Sequence, residues 1–425
     1  MTKRFLILQG PPSPFAKQLG EELSKRGCHV LRINFCFGDW LYWHGEKTLN
    51  FRDRANDWPA FLEQIIKRHK ITDILYYADR LPYHRIAQRV AGELGIRAIS
   101  YEFGYLRPDW LILERGGQSI YSHFPKNMNE IKLLAKNKPT PNMQLLYPFP
   151  FYVEAANEVL FNLSNYFLWF TFPWYDTDKQ YNSLYEYLSY IKRMAKGIFR
   201  RSGASKKIET LKKDRAPYFL VPLQMQNDYQ IRKNSTYSRL QQFIEEVALS
   251  FKSNAPDGAR LVFKKHPLDN GMENWARVIE NISKKHDLLN RCVFLDGGDL
   301  QGLLKTARGV VTVNSTTGLH ALQVGTPVKT MGVAIYDMAG VTDQGHLDAF
   351  WTNPSMPVRA NVKALVKLLA YAIHTKGNFY TAKGRAAAVD GFATRLLEDR
   401  VNDGAFVKTP PRIILAEKLG IVIDR

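Results

Sequence analysis

The sequence predicts an α/β protein made of two Rossmann-like halves that face each other across a cleft. Three observations predict it. At 425 residues the chain exceeds what one hydrophobic core holds comfortably, so two domains are expected. Short β-rich runs alternate with amphipathic stretches at the start of the chain, and the same alternation begins again near residue 218. Between the two series lies a segment, about 125–215, that is rich in Tyr, Phe, Asn and Leu and reads as helical.

In the first series Phe5–Leu8 reads as a strand, and Pro14–Arg26 as a helix closed by Gly27, a residue suited to a C-cap. His29–Ile33 is the second strand, followed by a loop holding Gly38-Asp39-Trp40. Trp58–Lys70 is amphipathic, with Phe61, Ile65 and Ile66 on one face. Ile74–Tyr77 is the third strand, Tyr83–Leu94 a helix ending at Gly95, and Ile96–Ile99 the fourth strand. Such repetition makes a parallel, doubly wound sheet whose ligands lie at the strands' carboxyl ends. Gln9-Gly10-Pro11, Asn34–Trp40, Ala78-Asp79-Arg80 and Glu102-Phe103-Gly104 occupy those ends. The middle segment finishes in a basic stretch, Lys192–Arg215, opposed only by Glu209 and Asp214. The second series has strands at Tyr218–Val221, Leu261–Phe263, Val293–Leu295, Val310–Val313 and Val328–Thr330. Helices fit at about 236–252, 272–286, 299–307 and 316–324, and the stretch 360–400 is mostly helical. The expected division is 1–215, an acceptor-side half; 216–350, a donor-side half; and 351–425, a helical tail that crosses back to the first half, the last by fold-level analogy.

The formal net charge of +19 points to anionic partners: phosphorylated substrates, an anionic bilayer or nucleic acid. Cys28, Cys36 and Cys292 have neither disulfide nor metal spacing, which suits a reducing compartment. The beginning, through Leu8, has a short apolar run that Gln9-Gly10-Pro11-Pro12 interrupts, and reads as a strand and not as a signal peptide. The nearest approach to a membrane span, Val159–Tyr175, contains Asn162, Ser164, Asn165 and Pro173.

The sharpest chemical signal is Lys264-Lys265-His266-Pro267, directly after a strand, where an imidazole and a lysine suit a phosphate oxygen. A second follows strand Val310–Val313: Asn314-Ser315-Thr316-Thr317-Gly318 opens a helix with hydroxyls and backbone N–H groups, as an anion site does. Simple N-capping is the bland alternative; the two signals in one half favour a phosphate site. Gln224 and Asp228 follow the first strand of this half, where a carboxylate faces the cleft. Asp228 suits a nucleophile or an electrostatic stabiliser of an oxocarbenium-like centre, or is a solvated loop residue. In the first half Glu102, in Glu102-Phe103-Gly104-Tyr105-Leu106-Arg107-Pro108, is placed to exchange a proton with an acceptor hydroxyl. Gln9, Gly10, Asp79, Arg80 and Arg107 form the cleft wall around it, with His84 a weaker candidate that also reads as a helix-start residue. Asp176-Thr177-Asp178 has the Asp-x-Asp form of a metal–nucleotide device but follows no strand, so no metal site is expected.

These motifs, in this order, resemble the bacterial capsule polysaccharide biosynthesis proteins that act as β-Kdo transferases, in particular the single-module type that adds the first Kdo to lyso-phosphatidylglycerol. The resemblance covers most of the chain. It runs from Gln9-Gly10-Pro11 through Arg32-Ile33-Asn34-Phe35, Asp79-Arg80 and Glu102–Pro108 to Pro222-Leu223-Gln224 with Asp228. It continues through Lys264 with His266-Pro267, Asn314–Gly318, Gly325-Thr326-Pro327-Val328, and Tyr336 with Ala339-Gly340-Val341-Thr342. It implies a GT-B fold, a CMP-Kdo donor, and a retaining reaction that needs no metal or other cofactor. Carried onto this chain, His266 with Ser315-Thr316 would hold the CMP phosphate, Asp228 would be the nucleophile and Glu102 the acid/base. Where family members often carry Asp-Gly after the glutamate, this chain has Phe103-Gly104. CMP-sialic-acid transferases share the Glu-x-Gly, His-Pro and Ser/Thr pattern, so another CMP-activated acidic sugar is the alternative donor.

The implied partners are the nucleotide sugar, an anionic lipid acceptor, the inner-membrane surface and other capsule assembly proteins, with no nucleic acid. The implied place is the cytoplasm, on the inner face of the inner membrane. Tyr166, Trp169, Phe170 and Trp174 near the basic stretch suit a bilayer surface, unless Phe161–Trp174 is buried core. A non-catalytic nucleotide-sugar or nucleic-acid-binding protein is the competing class.

Overall fold

The computed structural model describes residues 2–177, 181–182, 184–187, 189, 197–226 and 228–423, with only the backbone described for 197–202 and 230. Its twelve strands are β1 (Arg4–Ile7), β2 (His29–Asn34), β3 (Thr48–Asn50), β4 (Asp73–Tyr77), β5 (Arg97–Phe103), β6 (Trp110–Arg115), β7 (Tyr218–Pro222), β8 (Arg260–Lys264), β9 (Cys292–Leu295), β10 (Gly309–Thr312), β11 (Val328–Thr330) and β12 (His374–Lys376). They form two sheets, ordered β12-β6-β5-β4-β1-β2-β3 and β11-β10-β7-β8-β9. The second sheet is parallel throughout; in the first, β6 and β12 join antiparallel. Leaving out that added edge, each half carries the Rossmann order, with the third, second and first strands followed by the fourth and fifth. The fold is GT-B-like: two Rossmann-like sheets with helices around them.

Alternation along the strands decides what each face packs against. Phe5 and Ile7 turn to one face with Phe15, Leu19, Leu75 and Tyr101. Leu6 and Leu8 turn to the other with Ile33, Trp58, Leu62, Ile74 and Tyr76. In the second half Phe219 and Val221 meet the helix Leu240–Asn254 and Trp351, while Leu220 meets Leu319 and the helix Arg359–Ala372. Both faces of both sheets are therefore buried, as parallel sheets require.

Three strands depart from the sequence expectation. β6 is an apolar run in a segment given no element, β3 is a short edge strand, and β12 breaks the stretch 360–400 that reads as helical. The reason for β12 is tertiary: His374, Thr375 and Lys376 have no strand pattern and are held by pairing with Ile112, Leu111 and Trp110 of β6. The helix after it, Ala382–Leu397, lays Phe392 against Phe15 at a ring separation of 5.5 Å. The aromatic stretch Phe161–Trp174 contains a single buried aromatic, Phe172, so it is not core. Of the basic stretch, residues 192–196 lie outside the described residues, and the helix Gly197–Asp214 carries the rest.

The chain's last helix, Ile413–Lys418, is preceded by Arg412, which is fully buried. Its guanidinium donates to the carbonyls of Phe124 (2.6 Å) and Pro125 (3.2 Å), which follow β6, and of Ile335 (2.7 Å), which follows β11. One side chain thus ties loops from both halves. Removing it would leave three buried carbonyls without that donor, at about 1–3 kcal/mol each before relaxation. Arg412→Ala should lower unfolding free energy by at least about 3 kcal/mol in urea titration, and an unchanged midpoint would contradict the role given to the guanidinium.

Candidate functional site

At the point where a doubly wound sheet reverses direction, two adjacent strands send their chains to opposite faces and open a crevice at their carboxyl ends. Here those pairs are β1/β4 and β7/β10. Gln224, just past β7, and Asn314, just past β10, meet across the second crevice. The Gln224 amide donates to Asn314 Oδ1 (3.0 Å), and the Asn314 backbone N–H donates to Gln224 Oε1 (3.3 Å). Ser315 then caps the helix Thr316–Gln323, its Oγ accepting from Thr317 N–H at 3.2 Å. Tyr336 holds the turn from behind by donating its hydroxyl to Ser315 O at 2.5 Å. Gly318 makes room for that tyrosine, since a Cβ there would lie 2.3 Å from Tyr336 Oη. Thr316 and Thr317 are partly exposed at the helix start.

His266 sits in a loop braced on both sides. Lys265 pairs with Asp269 at 2.9 Å, both buried, and Asp269 also accepts from the Trp275 indole at 2.8 Å. His266 Nδ1 accepts from Leu268 N–H at 3.1 Å, which puts the proton of the neutral ring on Nε2. Lys264 is buried at the end of β8; burial lowers its pKa, and the charges opposing that shift are Asp296 and Asp299 beyond β9. Asp228 precedes the short helix Tyr229–Arg232, and its own N–H donates to Met225 O at 3.1 Å.

The first crevice is also polar. Leu8 N–H donates to Leu75 O and Tyr77 N–H to Gln9 O, so β1 and β4 remain joined up to Gln9. The Gln9 amide then reaches Asp39 (3.3 Å) and the Tyr175 hydroxyl (3.0 Å). Asp39 pairs with Arg32 at 3.1 Å, both almost fully buried. Gly10 permits the close start of the next helix, for a Cβ would lie 2.7 Å from that of Ala16. Asp79 accepts from Gln118 N–H at 2.8 Å and forms an ion pair with Arg80 at 3.3 Å, and the Arg80 guanidinium lies 4.0 Å from the Tyr121 ring centre. His84 belongs to the core: it is fully buried against Phe35 and Tyr76, and burial lowers its pKa to about 4. Gly104 explains the Glu-x-Gly spacing, because a Cβ there would lie 2.6 Å from Trp110 O of β6.

Glu102 ends the first half's contribution. Burial, the negative charge of Asp79 and that of Asp228 push its carboxyl up to about 8, with Arg107 acting in the opposite direction. Arg107 lies over the Phe103 ring at 4.6 Å, and its charge adds to the burial that lowers the His320 pKa. Glu102 and Arg107 of the first half therefore sense Asp228 and His320 of the second, which puts the two crevices face to face. His320 was not among the sequence candidates; its signal is its spacing, one helical turn after Thr317 and so on that residue's side of the helix. Arg32 and Asp39 lie in segments the sequence singles out, but neither their pairing nor the part of Tyr175 has a local signal. Of Asp176-Thr177-Asp178, Asp178 lies outside the described residues; Asp176 is exposed, with its N–H donating to Tyr83 Oη at 3.1 Å. Because two negative neighbours raise Glu102 and one positive neighbour lowers it, Asp79→Asn and Asp228→Asn should each move its titration midpoint down from about 8 and Arg107→Gln should move it up. Carboxyl carbon NMR on glutamate-labelled protein reads this; three unmoved midpoints would refute the facing arrangement.

The family described as "Capsule polysaccharide biosynthesis protein" matches residues 72–380. The capsule polysaccharide export protein KpsS of Escherichia coli is 32% identical over 372 residues, covering 87% of this chain and 94% of its own length. The capsule polysaccharide modification protein LipB of Neisseria meningitidis serogroup A is 30% identical over 396 residues, covering 89% and 92%. Among solved structures, the KpsC β-Kdo 2,7 transferase of Thermosulfurimonas dismutans aligns with 92% of this chain and 99% of its own, at 14% identity and a TM-score of 0.46. The family match spans Asp79, Glu102, Asp228, His266 and the Ser315 turn, and the chain belongs to the capsule polysaccharide biosynthesis protein family.

Proposed function

We propose that this protein is a glycosyltransferase that moves Kdo from CMP-Kdo to a lyso-phosphatidylglycerol acceptor, starting the β-Kdo linker of a capsular polysaccharide at the inner face of the inner membrane. The observations that carry the reading are the capped helix start held by the Gln224–Asn314 pair, which suits a phosphate, and the carboxyls of Glu102 and Asp228 within electrostatic reach of each other across the two halves. The helix starting at Thr316 and the N–H on His266 Nε2 suit the CMP phosphate, whose charge the helix dipole favours. Lys264, Gln224 and Asn314 support that pocket, and no metal or other cofactor enters the scheme.

In the first step the Asp228 carboxylate attacks the anomeric carbon as its bond to the phosphate oxygen breaks, and CMP leaves with the electron pair. In the second, the acceptor hydroxyl attacks the same carbon, the bond to Asp228 breaks, and the hydroxyl proton passes to the Glu102 carboxylate. Two inversions give net retention. A carboxyl poised at about 8 is a better match to a hydroxyl's proton than an ordinary glutamate would be, because a base is most effective with a pKa near the working pH. Only the ionised form accepts the proton, so transfer should rise with pH through about 8 and level off above it.

The test is incubation of the purified protein with CMP-Kdo and a lyso-phosphatidylglycerol analogue, then NMR of the linkage, with CMP-sialic acid as a second donor. Glu102→Gln should reduce kcat by about 10²–10⁴-fold and abolish its pH dependence. Asp228→Asn should lose turnover at least as severely, whereas His266→Ala and Ser315→Ala should act mainly on the KM for donor. Full transfer by Asp228→Asn and His266→Ala would refute the mechanism, and absence of CMP release by the wild type with any acceptor would refute the enzyme assignment.

A further inference from the structure

The helix Phe151–Phe167 inverts the usual pattern of a surface helix. Tyr152, Ala156, Leu160 and Phe167 recur at helical spacing along one side, and all four are exposed. The turn beyond it adds Trp169 (63% exposed), Phe170 (61%) and Trp174 (52%). From Val159 to Tyr175 the chain has no charged residue. This exposure does not come from a loosely held segment. The inner side of the helix is fixed to residues 37–42: Asn165 Oδ1 accepts from Gly38 N–H at 2.6 Å, and the Tyr42 hydroxyl donates to Asn157 Oδ1 at 2.8 Å. The Phe161 ring fills the space a Cβ on Gly38 would occupy. The helix is anchored, and its apolar side still faces outward.

Two further features say what covers that side. Arg52 and Arg54 are exposed, and their guanidinium groups lie over Phe172 (5.3 Å) and Trp174 (4.6 Å), so cations stand on the rim of the aromatic patch. Exposed tryptophans beside arginines fit the layer where acyl chains meet anionic head groups. A cavity of about 760 Å³ opens into the same edge, lined by the rings of Phe161, Phe167, Trp169, Phe172 and Tyr175 and by the amides of Asn162, Asn165 and Asn182. Its size is that of a pocket for one small ligand. At its inner end Tyr175 contacts Gln9, beyond the carboxyl end of β1. Its far wall includes Tyr181, whose hydroxyl donates to Glu273 at 3.1 Å, in the segment that follows His266.

We infer that the edge formed by the helix Phe151–Phe167 and the turn 168–174 inserts into the interfacial layer of an anionic membrane, and that the adjoining cavity receives one acyl chain of the lipid acceptor. The identity of that lipid rests on the function proposed above; the membrane contact does not. A chain held there leaves its head group between Gln9 and the His266 loop, at the mouth of the cleft. The edge thus selects an acceptor that presents a single free chain, and the cleft receives its hydroxyl.

The experiment uses the full chain and sedimentation with vesicles of phosphatidylglycerol and phosphatidylcholine, or of phosphatidylcholine alone. The variant Trp169→Ala/Phe170→Ala/Trp174→Ala should bind the anionic vesicles at least tenfold more weakly with an unchanged melting temperature. Arg52→Gln/Arg54→Gln should weaken binding to the anionic vesicles only. Thr177→Trp, at the cavity, should weaken binding of a pyrene-chain lyso-phosphatidylglycerol at least tenfold and leave vesicle binding intact. Equal sedimentation of the wild type and the triple variant would overturn the membrane edge. So would a change in oligomeric mass on light scattering without a change in vesicle binding, which would make the patch a protein interface. Full binding of the pyrene lipid by Thr177→Trp would overturn the acyl site. All these readouts are independent of turnover, so a failed transfer assay with intact vesicle and lipid binding would count against the function proposed above and not against this edge.

Discussion

Right-handed crossovers in a parallel sheet can be wound in either direction from its first strand, and where the direction reverses a crevice must open. The whole site depends on that constraint, met twice. β1 and β4 diverge beyond Gln9 in one half, and β7 and β10 diverge beyond Gln224 and Asn314 in the other. No special sequence is needed to make the gap; the sequence is needed to line it. The Gln224–Asn314 pair satisfies two buried polar side chains against each other, which leaves the capped turn after Asn314 rigid. The same logic places Asp79 and Glu102 at the ends of β4 and β5, two neighbouring strands of the first sheet.

Electrostatics then divides the labour between the halves. The second half offers an N-terminal helix turn and a braced histidine, features that favour negative charge. The first half offers acidic groups that disfavour it, and Glu102 bears the consequence in its raised pKa. Arg107 is the compensating charge, and its hold on Phe103 fixes where that charge stands.

Much of this is legible in the sequence. Parallel strands covered on both faces appear in sequence as unbroken apolar runs, and Phe5–Leu8, Ile74–Tyr77, Tyr218–Val221 and Val310–Val313 read as strands for that reason. β12 was not legible, because His374, Thr375 and Lys376 become a strand only through β6, far away in the chain. Within the site, individual residues such as Gln224 and Asn314 stood out at strand ends, but their pairing spans 90 positions and no local pattern encodes it. Arg32 and Asp39 illustrate the same limit: a buried ion pair looks, in sequence, like any surface arginine and aspartate. His320 is within reach of helical periodicity, one turn after Thr317, but nothing else in the residues around it marks it.

The antiparallel edge has a consequence for synthesis. β6 is complete as a sequence long before β12 leaves the ribosome, and Phe15 waits as long for Phe379 and Phe392. Until then the first sheet has an open edge and an uncovered apolar face, the two features that invite wrong pairing. The second sheet, β7 to β11, is complete in sequence by Thr330, before β12 exists. A chain ending before residue 374 would therefore lack one edge of the first sheet and part of that sheet's core.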